Sequence, residues 1–406
     1  MTIHVVGGLY KELCVRPWWD QLYGSAGRAA AAIATMGNEV YLHTYASSAV
    51  VEDFRSYAAQ LPSTLTLEAV PCESTLLFRY LHDSSHPDIY GVPDAPLDAI
   101  YLEAEKIIRF GMLEGSAVVN AEWAVYDPQN AGSAELFGQN GSSAKHLALV
   151  LNLYEARVMS SSPTASAEEC AHILAALESA EVIVIKMGPA GALVWSQGTV
   201  QTVPAYKTEN VWKIGSGDTF VAHFARAWMN DGVSAHEAAA QASLATAYYC
   251  DKKILPCREY LSEFNPDAIR VKQDFLDGKR PRVYLAGPFF DTAQVWLIEE
   301  ARKNLQEMGF DVFSPFHDIG MGSAADVVKL DILGIEKSDI IFAIADGLDA
   351  GTIYEVGYAR ALHKPVVILC ERESEESMKM AEGTNCIIRR SYTSSLYAAL
   401  WTAVSQ

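Results

Sequence analysis

The chain lacks most of what would carry it to a membrane, a nucleic acid or a metal. No run of about 18 apolar residues is present to span a bilayer. The start, Met1-Thr-Ile-His-Val-Val-Gly-Gly8, has neither a basic segment nor a long apolar one and does not read as a signal peptide. The seven cysteines, at positions 14, 72, 170, 250, 257, 370 and 386, form no CxxC and pair with no histidine at metal-ligand spacing. Scattered thiols of odd number in a chain of 406 residues read as the reduced cysteines of a cytoplasmic protein. Basic charge is scarce, with 31 Lys and Arg against 50 Asp and Glu and a formal net charge of −19. A surface that acidic repels phosphate backbones and anionic lipid, so neither nucleic acid nor membrane is expected as a partner. Low-complexity tracts are missing too, which argues against disorder.

What remains is a chain that is 50% hydrophobic, long enough for two or three domains with real cores. Short β-branched runs at 3–6, 40–45, 117–120, 147–151, 182–185, 282–286, 340–345 and 365–369 alternate with Ala-rich helical stretches at 26–36, 164–177, 219–229 and 235–249. That alternation predicts α/β layers built on parallel sheets. One stretch, 251–282, is charged and irregular, with Pro256, Pro266, Pro281 and the cluster Lys279-Arg-Pro-Arg282. The expected organisation is a first domain over 1–270, a linker over 271–280 and a second domain over 281–406.

The strongest local signal in the first part is Ile214-Gly-Ser-Gly-Asp-Thr-Phe220, followed by a helical stretch. Small residues before a helix let backbone N–H groups approach an anion, and the helix dipole adds favourable potential. Asp218 stands where it could take a proton from a hydroxyl aligned with a γ-phosphate. A plain glycine turn with an Asp cap is the alternative.

Residues 1–265 resemble the PfkB/ribokinase family of sugar and nucleoside kinases. Gly215-Ser-Gly-Asp218 matches the family's GAGD signature, which implies Asp218 as the catalytic base and Gly215, Ser216 and Gly217 as the anion hole. Asn152-Leu-Tyr-Glu155 matches its NxxE element, implying Asn152 and Glu155 at the phosphates, with Glu155 holding Mg²⁺ indirectly. Lys186-Met-Gly-Pro-Ala-Gly191 resembles the strand and turn supporting the nucleotide, through Lys186, Gly188 and Gly191. Asp127-Pro-Gln-Asn130 resembles the family's D-P-N segment. Tyr23-Gly24 through Gly37 corresponds to the glycine-rich segment that cups the sugar, with Gly24 and Arg28 as substrate contacts. The family's Asn is replaced there by Arg28, its first paired glycine by Tyr23, an Asp of a monovalent-cation site by Trp212, and a nearby Thr by Ile214. Arg28, like Arg79 in the stretch resembling the lid, is either a surface replacement or a contact for an anionic substrate group. The resemblance implies a three-layer α/β/α fold with a small lid, and ATP and Mg²⁺ as cofactors.

In the second part, a strand ends in the acidic loop Asp346-Gly-Leu-Asp-Ala-Gly351, and a helix expected from about Thr352 carries Glu355 in its first turn. Gly357 leaves room for a ligand or a packed backbone. A carboxylate at the carboxyl edge of such a sheet can attack an anomeric carbon while a neighbouring carboxyl handles a proton. Acidic residues near the positive end of a helix are the plainer reading.

Residues 281–400 resemble the nucleoside 2-deoxyribosyltransferase family. The matching pieces are Tyr284-Leu-Ala-Gly-Pro288, Gly309-Phe-Asp-Val-Phe-Ser-Pro315, the helix with Asp331, Asp349-Ala-Gly-Thr352 and Glu355-x-Gly-x-Ala359. The resemblance implies Glu355 as nucleophile, Asp331 and Asp349 binding and protonating the base, Tyr284 orienting the glutamate, and Gly287 in the pocket. Asn385, in Thr384-Asn-Cys386, looks like the residue that family members donate to a neighbouring subunit's sugar site, unless it is an ordinary turn asparagine. A homo-oligomer, dimer or higher, follows from that reading. A flavodoxin/Rossmann-like parallel α/β fold is implied, with no cofactor.

Together these readings predict a bifunctional enzyme of nucleoside or nucleotide metabolism acting on a small nucleoside, nucleotide or pentose. One half would phosphorylate a hydroxyl with ATP; the other would cleave or exchange an N-glycosidic bond through a Glu355–sugar ester. The alternative is a non-catalytic kinase-like sensing module attached to a deoxyribosyltransferase or an N-glycoside hydrolase.

Overall fold

A computed structural model describes residues 2–129, 134–320 and 322–405; Asn130, the last residue of the D-P-N segment, lies outside the described residues. The chain divides into two compact units, one made of 1–208 and 212–268, the other of 209–211 and 269–406. Among the described residues no helix is long and apolar enough to cross a membrane.

The first unit is built on nine strands in the order Thr199–Val203, Ala192–Ser196, Val182–Lys186, Ser143–Asn152, Ala117–Asp127, Ile100–Phe110, Ile3–Val6, Val40–Ala46 and Leu65–Pro71. All neighbours run parallel except Ala192–Ser196, which is antiparallel to both of its own. Parallel strands are buried on both faces, and runs such as Val182-Ile-Val-Ile185 are apolar on each. Helices Gly24–Thr35, Ser216–Asn230 and Ala235–Lys252 cover one face with Ala-rich surfaces. Leu153–Met159 and Ala167–Glu178 cover the other, giving three layers. A separate four-stranded sheet, Trp19–Leu22, Lys11–Arg16, Leu77–His82 and Asp88–Tyr90, forms the lid.

Register decides where polar side chains meet. Asn152 pairs with Lys186, and Asp127 closes Ala117–Asp127, so three neighbouring strands end at one carboxyl edge with a polar or charged residue each. Ligands of α/β sheets gather at that edge.

The second unit is a five-stranded, all-parallel sheet in the order Asp311–Phe313, Arg282–Ala286, Ile340–Ile344, Val366–Leu369, Ile387–Arg389. In chain order this is 2-1-3-4-5, the flavodoxin-like winding, whose switch point falls between Arg282–Ala286 and Ile340–Ile344. Helices Thr292–Glu307 and Tyr392–Val404 pack on one face, and Ala324–Lys337, Ala350–Ala361 and Glu375–Gly383 on the other. The stretch 271–280, read as a linker, carries the short helix Gln273–Leu276, and Val271 bridges to Ser405.

Candidate active sites

In the second unit the expected helix begins earlier than its residues suggested. Asp349 caps Ala350–Ala361 by accepting from Thr352 N at 2.8 Å and Thr352 Oγ1 at 2.9 Å. Glu355 therefore lies in the second turn, two residues deeper in the helix than expected. There it meets Tyr284 from strand Arg282–Ala286, whose hydroxyl donates to Glu355 Oε1 at 2.6 Å. Tyr284 is fully buried and its ring stacks on Phe313 with centroids 5.6 Å apart. Burial pushes the Glu355 carboxyl up to about 7, the hydrogen bond from Tyr284 pulls it down, and the charges of Asp331 and Asp349 raise it again.

Asp331 arrives from helix Ala324–Lys337. Burial raises its carboxyl, and its buried Oδ1 has no hydrogen-bond partner among the described residues. Gly287 is fixed by packing: a Cβ there would fall 2.8 Å from Ile298 Cδ1 and 3.2 Å from Ile344 Cβ. Around Gly357 a Cβ would meet nothing within 4 Å, so no packed neighbour requires that glycine. The structure thus gathers Tyr284, Glu355, Asp331 and Asp349 about one carboxylate. Asn385 stands apart from them, exposed and left-handed at φ +62°, with its N–H given to Glu382 O.

In the first unit Gly215 is left-handed at φ +78° and helix Ser216–Asn230 starts directly after it, which puts Asp218 in the first turn. Ser216 N already donates to Lys213 O at 3.1 Å. The following amides are left at the helix start, where an intrahelical partner is lacking. Lys186 Nζ lies 3.3 Å from Asp127 Oδ2 and beside Gly217, where a Cβ would stand 3.6 Å from it. Asn152 and Glu155 cap each other: Glu155 N donates to Asn152 Oδ1 at 2.9 Å, and Asn152 N to Glu155 Oε2 at 2.7 Å. Burial raises the Asp127 carboxyl against the pull of Lys186, with Glu155 and Asp218 adding to the rise. Gly188 and Gly191 form the turn after Lys186; at Gly191 (φ +78°) a Cβ would fall 1.9 Å from Val203 O. To an anion this edge offers the amides of the helix start and Lys186, itself paired with Asp127. Among the described residues no group of three or more His, Cys, Asp or Glu side chains is placed to hold a metal ion.

Arg28 is wholly buried, which removes the surface reading. Its Nη1 donates to Tyr249 OH at 2.6 Å, its Nη2 is paired with Glu12, and its Nε faces Asp218 Oδ2 at 3.3 Å. Gln129 Nε2 donates to the other Asp218 oxygen at 2.5 Å. Arg79 instead makes an exposed pair with Asp88 on the lid. Trp212 is fully buried, tilted against Trp19 at 5.0 Å. Glu12, Tyr249 and Tyr10 are not singled out by the sequence, and Gln129 only as part of the Asp127-Pro-Gln-Asn130 segment. Of the first three, only Glu12 had a local signal, an acid beginning an otherwise apolar run.

Two family models match the chain: pfkB family carbohydrate kinase over residues 143–253, and nucleoside 2-deoxyribosyltransferase over residues 283–386. One match lies in each unit, and neither covers half of the chain. The first unit has the ribokinase-like fold. It superposes on fructokinase from Vibrio cholerae, a double mutant with fructose, ADP and a potassium ion bound, at a TM-score of 0.52 and 15% identity, over 65% of this chain and 97% of that one. A second structure of that fructokinase, with fructose, ADP and a calcium ion, gives 0.50 and 15%, over 65% and 98%. Identity that low speaks to the fold alone. No curated protein matches the chain.

Proposed function

We propose that the second unit breaks and remakes N-glycosidic bonds of a nucleoside-type substrate through a covalent ester on Glu355. The observation that carries this reading is the 2.6 Å bond from Tyr284 to Glu355, in a half-buried setting at the switch point of the sheet. Tyr284 holds Oε1, which leaves Oε2 for attack on C1′. As the Oε2–C1′ bond forms, the C1′–N bond breaks and its electron pair stays on the base. Asp331, whose carboxyl is raised by burial, supplies a proton to that nitrogen. A second base then displaces Glu355 from the sugar, taking Asp331 through the reverse steps; water in its place gives hydrolysis. Asp349 holds the start of the helix that aims Glu355. An oligomer in which Asn385 of one copy serves another's sugar site fits its exposed position.

The test is the mass of the intact chain after brief incubation with deoxynucleosides. A gain of one glycosyl group that is lost in Glu355→Ala supports the ester. Base exchange without any adduct and undiminished in Glu355→Ala would sink it.

For the first unit, ATP-dependent phosphorylation of a hydroxyl needs Asp218 with an oxygen free to take a proton. Gln129 donates to Oδ1, while Oδ2 is held by charge, 3.3 Å from the buried Arg28 Nε with no hydrogen bond between them. That observation favours the second reading, a kinase-like module that holds ligands without transferring phosphoryl.

A further inference from the structure

Two of the chain's own side chains stand where an acceptor would have to sit in the first unit. The Arg28 guanidinium rests on the turn before Asp218: a Cβ on Gly215 would fall 1.8 Å from Nε and 2.2 Å from Cζ. Glu12, on the lid strand Lys11–Arg16, supplies one counter-charge and Asp218 the other. Tyr249 accepts from Arg28 and donates its own proton to Ile214 O at 2.8 Å, the carbonyl next to Gly215. The guanidinium also lies over the Tyr23 ring, 4.6 Å from its centroid. Independently, the face of Gly24 expected to cup a sugar is covered. A Cβ there would meet the Tyr10 ring at 2.8 Å and one on Gly8 would meet it at 2.9 Å, while Tyr10 stacks on Phe78 of the lid at 4.2 Å.

We propose that Arg28 is a built-in occupant of the acceptor position and that Asp218 has become its counter-ion, so this unit moves no phosphoryl group. The proposal rests on the module reading given above and names what enforces it. A guanidinium stays charged at any working pH, so it cannot be titrated away from the carboxylates. A sugar hydroxyl reaching Asp218 would have to expel a buried cation from its partners, leaving charges unpaired away from water. In a working kinase the base is a stability liability kept for chemistry. Here the same residue is a stabilising one, and that difference is measurable.

The experiment uses the full chain, the variants Asp218→Asn and Arg28→Gln, and the double variant. Calorimetry reads the unfolding of the first unit, and transfer of labelled γ-phosphate from ATP is followed across pentoses and nucleosides. The expected result is no transfer by the unaltered chain. Each single variant should lower the midpoint by about 5 °C or more, and the double variant should lose less than the sum. A silent chain with additive losses would leave the module reading standing and overturn the ion-pair assignment. Transfer by the unaltered chain that falls at least about 100-fold in Asp218→Asn would overturn both. Should the single variants fail to fold, Gln129→Ala keeps the Arg28 pair while baring one Asp218 oxygen. It should remain silent, and transfer appearing in it would overturn the assignment.

Discussion

Tyr284 reaches across from strand Arg282–Ala286 of the second unit and donates a hydrogen bond to Glu355 Oε1 at 2.6 Å. A hydrogen bond to the ionised form favours ionisation, whereas burial, the larger influence here, disfavours it. The result is a carboxyl poised at about 7. Because attack on C1′ requires the carboxylate, glycosyl transfer should rise with pH along an acid limb near pH 7.

Tyr284→Phe keeps the ring on Phe313 and removes the donor. Glu355 then loses the one influence that lowers its pKa, so the acid limb of the pH–rate profile should move to higher pH. The rate at neutral pH should fall about 10-fold to 100-fold. An unmoved limb would mean that Glu355 is not the group titrating.

Glu355→Gln should remove base exchange and stabilise the second unit at alkaline pH. The folded carboxyl is raised above its unfolded value, so the stability it contributes is fully present below pH 4.5 and lost as pH rises through about 7. Replacing the group by a neutral isostere should recover stability on the order of 3 kcal/mol at pH 8 and little at pH 4, by thermal or urea unfolding at both values.

Asp349 separates structure from chemistry. Asp349→Ala removes the cap on Thr352 N and should cost about 1 kcal/mol. Asparagine caps equally well, so Asp349→Asn should unfold like the unaltered chain. It also removes a charge that raises Glu355, so its acid limb should move to lower pH.

Two glycines after Lys186 give a controlled pair, both left-handed. Gly188→Ala meets open space and should cost roughly 1 kcal/mol of backbone strain. Gly191→Ala drives its Cβ onto Val203 O and should cost about 3 kcal/mol or more, read from denaturant midpoints of the first unit.

Much of the second unit could be read from its residues, because its site is spelled out locally. Asp349 and Glu355 share one helix, and Tyr284 sits in a strand with an unmistakable apolar pattern. Boundaries were harder: the cap at Asp349 starts the helix two residues earlier and moves Glu355 that much further inward. In the first unit the central strand Ile100–Phe110 escaped notice since Glu103, Glu105 and Lys106 interrupt its apolar residues. Ala192–Ser196 and the lid strands escaped for lack of β-branched runs, and Thr199–Val203, though four of its five residues are β-branched, because it is short and broken by Gln201. The state of Asp218 was beyond reach altogether. Its signature is intact, but Arg28, Glu12, Gln129 and Tyr249 come from distant stretches, and only the folded chain brings them onto it.

Val271 pairs with Ser405, and Lys272 donates its N–H to Val404 O and its ammonium to Ala403 O. The start and the end of the stretch 271–405 are thus sewn together beside one another. Such a body behaves as a cassette. It can be circularly permuted, with a short tether sealing 271 to 405 and fresh termini opened in a surface loop, while the winding that aims Glu355 at Tyr284 stays as it is.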